Sequence, residues 1–331
     1  MIFVTGGTGF LGRHLVPALC RAGYPLRILT RSPHKHGWLA QYPQVEVVQG
    51  DIRTGEGLDA IAGCTHIVHA AGLFSMWQLA GDFEATNVTG TKNLLQAAVD
   101  NNIQRFIHVS TIAVIGTPQV GRIIDEQHPP RPSDKYQLTK LQAEYLVSQY
   151  ERTTDLQTVI LRPGAFYGPL GDYAFNRLFF RDPMRGLIVE PDGGHYLTFP
   201  AYIGDVAGSV VSALKQGRSG ETYNICGTSI THKEVYDIVC ELADLSFPRV
   251  YLPNILGITG AALLTMLSRL TRTEPFYPLG LRSYVFNNWW VTSEKAQSEL
   301  GFVPTDFHTG AERTIAWYRA GQLTTLPELQ C

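Results

Sequence analysis

Up to about Leu161, short apolar runs alternate with stretches whose apolar positions recur every three or four residues. The short runs begin at Ile2 and recur as Leu26–Thr30, Val45–Gln49, His66–His69, Phe106–Val109 and Thr158–Leu161. Their length and their glycine and polar boundaries predict buried strands. Between them the spacing predicts helices: Arg13–Ala22, bent at Pro17 and capped by Gly23; one opened by Asn87–Thr91, with Leu94, Leu95, Ala98 and Val99 on one face; and a long one from Ser133 as N-cap to about Tyr150. Strand alternating with helix predicts an α/β fold, a parallel sheet with helices on both faces. After Pro169 the pattern loosens. It predicts strand-like Leu197–Ile203, a helix from Asp205, a strand Thr222–Cys226, a helix Thr231–Leu245 with Thr231 as a candidate cap, and a nearly all-apolar helix Ile255–Leu270.

Composition narrows the class. The chain has 331 residues, 44% hydrophobic and 17% charged, enough for a large core. A net charge of −2 provides no basic field, which argues against a nucleic-acid partner. Five scattered cysteines lack metal-like spacing, so no metal site is expected, and they read as reduced thiols of a cytoplasmic protein. Strand residues from Ile2 onward leave no room for a leader in this reading. The run Ile255–Leu267 is too short for a transmembrane segment but could lie on a membrane surface or cover an apolar pocket.

The first turn carries the strongest chemical signal. Phe3-Val4-Thr5-Gly6-Gly7-Thr8-Gly9-Phe10-Leu11-Gly12 runs from strand to helix through a G-x-G-x-x-G pattern. Glycine there permits a tight turn and close approach of a pyrophosphate to the helix N-terminus. An acidic residue at the end of the second strand would bind a ribose 2′-hydroxyl, and none is present. Arg31, with Ser32 and Lys35 behind it, instead offers cations to a 2′-phosphate, which favours NADP(H) over NAD(H). Asp51 closes the third strand and reads either as an acceptor for the adenine amino group or as a turn cap. The small residues Ala70, Ala71 and Gly72 leave space for a cofactor, whereas His69 reads as structural.

Tyr136 and Lys140 stand four apart, on one face of the long predicted helix. An ammonium beside a phenol lowers its pKa and makes it a usable acid/base. A hydroxyl from Thr111 could bond the reacting oxygen. Phe74, Met76, Trp77, Phe166 and Tyr167 are candidate linings of an apolar substrate pocket, although aromatics after Pro169 read more readily as core.

Six motifs in order resemble the extended short-chain dehydrogenase/reductase family: the glycine turn, Gly50-Asp51-Ile52, His69-Ala70-Ala71-Gly72, Asn87-Val88-Thr89-Gly90-Thr91, Ser110–Gly116 and Tyr136-Gln137-Leu138-Thr139-Lys140. The likeness covers nearly the whole chain and is strongest from Met1 to Pro169. It implies a Rossmann-type doubly wound parallel sheet with a smaller C-terminal substrate-binding region. Residues 1–169 would form the dinucleotide-binding domain with the Tyr/Lys helix. Residues 170–331 would mostly bind substrate, with about 200–228 returning to the first domain.

The same resemblance implies roles. Tyr136 would be the general acid/base, Thr111 the orienting hydroxyl, Lys140 the holder of the nicotinamide ribose, and Asn87 a supporting asparagine. Gly6, Thr8, Gly9, Phe10, Leu11, Gly12, Asp51, Ile52, Ala70, Ala71, Gly72, Ser110, Pro163 and Ala165 would touch cofactor. A homodimer through the helices starting near Asn87 and Asp134 is common among such proteins.

Arg162-Pro163-Gly164, Arg269–Pro275 and Trp290–Leu300 are similar to the branch of dihydroflavonol reductases and 3β-hydroxysteroid dehydrogenases. Ile112-Ala113 and Ala165 depart from the residues usual in nucleotide-sugar enzymes. The expectation is therefore an NADP(H)-dependent oxidoreductase interconverting a ketone and a secondary alcohol on a hydrophobic small molecule. A nucleotide-sugar epimerase with transiently used NAD(P) and a non-catalytic NADP(H)-binding protein are the alternatives.

Overall fold

A computed structural model describes residues 1–75, 77, 82–246, 249–275 and 278–321. Its central sheet is built from β1 (Ile2–Thr5), β2 (Leu26–Thr30), β3 (Val45–Gln49), β4 (His66–His69), β5 (Arg105–Val109), β6 (Gln157–Pro163) and the strand Glu221–Ile225. All pairings are parallel, in the order Glu221–Ile225, β6, β5, β4, β1, β2, β3. The chain leaves β1 in one direction toward β2 and β3, then returns to β1's other side at β4. That reversal opens a crevice at the carboxyl ends of β1 and β4, where ligands bind in such sheets.

Both faces are covered, as a parallel sheet requires. On one face α1 (Phe10–Arg21) and the helix Ile203–Gln216 pack Leu15, Leu19, Val206 and Val210 over Ile2 and Val4. On the other, α2 (Gly90–Asp100) and α3 (Lys135–Thr153) pack Leu94, Leu95 and Val147 over Phe3 and Ile67. The two-residue alternation of β1 thus feeds both cores. A third, aromatic cluster of Tyr167, Phe175, Phe179, Phe180 and Tyr236 supports the C-terminal region beside the crevice.

Several boundaries differ from the sequence expectation for local reasons. Helix α1 begins at Phe10 rather than Arg13, directly from the Gly9 N-cap, and continues through Pro17. The N-cap of α3 is Asp134, not Ser133: the Asp134 carboxylate accepts from Gln137 N at 2.8 Å. Ser133 instead donates from its backbone N and hydroxyl to the Gln137 side chain at 2.7 and 3.0 Å. The segment Leu197–Ile203 divides into strands Leu197–Thr198 and Pro200–Tyr202, with Ile203 already helical. Thr231 caps the helix His232–Ala243 in a reciprocal capping box with Glu234. No helix among the described residues is long and apolar enough to cross a membrane.

Candidate active site

The glycine turn closes the crevice. Gly6 has φ of +74°, and a Cβ there would lie 2.4 Å from the backbone of Ala70 and Ala71. A Cβ on Gly12 would lie 2.3 Å from the Gly7 carbonyl carbon. Only glycine lets β1's turn touch the end of β4 and lets α1 start against that turn. The first N–H groups of α1, with no side-chain cap, are left for a ligand.

One cavity of about 740 Å³ runs along the carboxyl ends of the strands. Arg31, Ser32, Lys35, Asp51 and Ile52 line one end, and Gly6, Thr8, Gly9, Phe10, Leu11, Ala70, Ala71, Gly72 and Ser110 line its course. His36 and Arg53, which the sequence reading missed, join the cationic end. Asp51 is held by the Arg53 guanidinium at 2.5–3.1 Å, and that bond pulls its carboxyl below the usual range. It therefore caps its turn while still lining the cavity.

Thr111, Tyr136 and Lys140 meet at the middle of this cavity. Thr111 ends the β5 segment and N-caps the short helical turn Ile112–Ile115, accepting from Ala113 N at 3.2 Å. Its hydroxyl is hydrogen-bonded to the Tyr136 phenol. Phe74 packs edge-on against Tyr136 with ring centroids 4.8 Å apart. Lys140 Nζ donates to the Val109 carbonyl at 2.8 Å. Burial lowers the Lys140 ammonium to about 8, partly offset by the Glu144 charge.

Lys140 does not depress Tyr136 in the way the i,i+4 spacing suggested. Burial is the largest influence and raises the phenol well above its ordinary value, Asp134 adds to the rise, and the Thr111 bond opposes it. The hydrogen bond that the ammonium makes is to the Val109 carbonyl.

Asn87, Gly12 and Pro163 stand behind the cavity rather than in its lining. Buried Asn87 accepts from Leu73 N at 2.7 Å and donates to Leu73 O and Thr139 Oγ1, both at 3.1 Å. It thereby ties the loop carrying Phe74 to α3. His69 bridges Thr5 and Thr91 at 2.7 and 2.9 Å, and burial lowers it to about 3, so it is a neutral structural group.

The cavity's other end is apolar. Phe74, Ala165 and Phe166 line it. Tyr167 does not: it is 1% exposed, stacked on Phe180 and packed against Phe175 and Phe307, because it belongs to the aromatic core. Trp77 also lies outside the lining, its indole N–H donating to Ser268 Oγ at 3.1 Å. Met76 lies outside the described residues. The lining is completed by Tyr173, Phe175, Leu178, Phe179, Phe199, His232, Leu281 and Tyr284, none of which the sequence reading singled out. Burial holds His232 neutral by lowering it to about 4. These residues come from four separated segments, and no local signal marks them.

A parallel sheet with this strand order, a glycine turn at its reversal point and a cavity across it define an NAD(P)-dependent enzyme of the extended short-chain dehydrogenase/reductase type. More specifically, the chain belongs to the NAD dependent epimerase/dehydratase family, whose model matches residues 2–226. It is 37% identical over 224 residues to 4-hydroxy-2-methyl-3-oxo-4-farnesyl-3,4-dihydroquinoline-1-oxide ketoreductase of Stigmatella aurantiaca, covering 67% of this chain and 66% of that protein. It is 30% identical to ceramide reductase of Caulobacter vibrioides, over 97% of this chain and 95% of that protein. The crystal structure of a dTDP-glucose 4,6-dehydratase double mutant from Streptomyces venezuelae with NAD bound superimposes with a TM-score of 0.78 at 27% identity, covering 96% and 97% of the two chains.

Proposed function

We propose that the protein is an NADP(H)-dependent reductase interconverting a ketone and a secondary alcohol on a hydrophobic small molecule. The observation that carries this reading is the cavity's division: cations at one end, Thr111, Tyr136 and Lys140 in the middle, and an aromatic lining beyond them. The glycine cradle, which a Cβ would fill, fits a dinucleotide pyrophosphate. Arg31 and Lys35 fit a 2′-phosphate, with no carboxylate at the end of β2 to favour a free hydroxyl. A nicotinamide cofactor held there supplies or accepts the hydride.

In this reading the Tyr136 phenol donates its proton to the carbonyl oxygen as that oxygen gains charge, and recovers it in the reverse direction. Thr111 donates a hydrogen bond to the same oxygen. Lys140 holds the ribose hydroxyls. Asn87 positions the Phe74 loop and α3. Residues 170–331 mostly form the substrate side, and the apolar lining excludes water from the reacting carbonyl. The family's members named for ketone and ceramide reduction support a hydrophobic substrate. Free Cys20, Cys64, Cys226 and Cys240 support work in the reducing cytoplasm. Exposed Leu138 and Tyr145, seven apart on α3, support a homodimer through that face.

The test is oxidation of NADPH, with NADH in parallel, against hydrophobic ketones, β-keto acids and UDP-sugars. NADPH-preferring turnover of an apolar ketone is expected. Conversion of a UDP-sugar without net cofactor oxidation would make the protein an epimerase instead.

A further inference from the structure

The helix Asn254–Thr271 presents an apolar face that nothing among the described residues covers. Ile255, Leu256, Leu263, Met266, Leu267 and Leu270 are each between 48% and 82% exposed, and their spacing places them on one side. No charged residue occurs from Asn254 to Ser268. A water-facing helix ordinarily carries charge on that side, and an apolar surface this continuous marks an interaction site.

The opposite side of the helix packs on segments that adjoin the substrate end of the cavity. Ala261 and Ser268 are buried. Ser268 Oγ accepts from the indole of Trp77, three residues beyond the cavity-lining Phe74. Thr265 Oγ1 accepts from Leu279 N at 2.9 Å, two residues before Leu281, which lines the cavity.

Charge selects the occupant. Between Asn254 and Trp290 the chain has three arginines (Arg269, Arg272, Arg282) and one acid, Glu274, although its net charge is −2; Arg249, just before, is paired with Asp237 and Glu190. Arg272, at the helix C-cap, and Arg282 are exposed, whereas Glu274 accepts from the Tyr173 hydroxyl. A second copy would bring the same basic excess to the contact. An anionic lipid surface complements it.

We propose that this helix lies in the surface of an anionic bilayer, its apolar face among the acyl chains and the exposed Arg272 and Arg282 at the phosphates. The cavity beneath it then takes a lipid-soluble ketone directly from the membrane. The inference rests on the hydrophobic-substrate reading for its purpose, but its test does not depend on turnover. At 18 residues the helix is roughly 27 Å long, and exposed Tyr251 just before it suits the polar–apolar boundary.

Flotation of the full chain with phosphatidylcholine vesicles containing phosphatidylglycerol, and with phosphatidylcholine alone, tests this. The wild type is expected to float with the anionic vesicles and much less with the neutral ones. Leu263→Glu with Met266→Glu removes two immersed side chains and is expected to reduce vesicle-bound protein at least about tenfold, with the thermal midpoint measured without vesicles unchanged. Arg272→Glu should selectively weaken binding to the anionic vesicles. Absence of flotation, or equal flotation of wild type and double variant, would overturn the proposal. So would light scattering that shows a dimer dissociated by the double variant without vesicle binding, which assigns the face to a second copy.

Discussion

Lys140 Nζ lies 2.8 Å from the carbonyl oxygen of Val109, joining the second turn of α3 to the end of β5. This bond ties the ammonium to the end of β5. Buried there, Lys140 titrates near 8 rather than in the ordinary lysine range. Its charge is thus available at neutral pH but easily lost above it.

Tyr136 and Lys140 have separable signatures in the proposed reaction. Tyr136→Phe is expected to lower kcat by about 10²–10⁴-fold with cofactor affinity nearly unchanged, as loss of a general acid does. In the wild type, kcat/KM for cofactor should fall as the pH rises above about 8, because the neutral amine no longer holds the ribose. Lys140→Arg should move that alkaline limb upward. Wild-type turnover by the phenylalanine variant removes Tyr136 from the acid/base role, and an unmoved limb dissociates the pH profile from Lys140.

Arg31 stands exposed at the cavity rim, with Ser32, Lys35 and His36 beside it. A guanidinium–phosphate bond is strong and charge-assisted. Arg31→Ala should therefore weaken NADPH binding by about ten- to a hundredfold and NADH binding much less, measured by fluorescence titration. Equal losses for the two cofactors would refute the 2′-phosphate assignment.

Buried histidines, His14, His69, His108 and His232 among them, make the fold acid-sensitive. Burial lowers His69 to about 3 and His14 and His232 to about 4. An unfolded histidine takes up its proton near 6.5. Between those values the unfolded chain binds more protons, so stability present at neutral pH is lost as the pH falls from about 6.5. Each histidine contributes up to about 1.4 kcal/mol per pH unit in that window. The thermal midpoint should drop between pH 7 and 4, and the slope should be shallower in His69→Gln. An unchanged slope would remove His69 as a source of acid lability.

The glycine turn, the small residues after His69 and the strand–helix alternation were legible because each is a local demand. A β-strand alternates with period two, a helix with period near 3.6, and a left-handed turn position requires glycine. The Thr231 cap and the cations at Arg31 and Lys35 were legible for the same reason, whereas the reciprocal bond from Glu234 was not read. The Asp134 cap was missed because Ser133 and Asp134 are both good caps. Only the pairing of Ser133 with the Gln137 side chain decides between them.

The apolar end of the cavity was not legible. Phe175, Phe179, Phe199, Leu281 and Tyr284 lie far apart in sequence and converge only when the C-terminal half folds over the strand ends. Tyr167, beside Phe166 in the chain, turns into the core because successive strand residues face opposite sides. Lys140's bond to Val109 likewise depends on α3 packing across β5, a long-range contact that helical spacing cannot specify. Backbone preference and hydrophobic period act over a few residues, so they suffice for the elements and the cofactor turn. Burial, and with it the shifted pKa values of Tyr136, Lys140 and the buried histidines and the wall of the substrate cavity, exists only after distant segments have packed together.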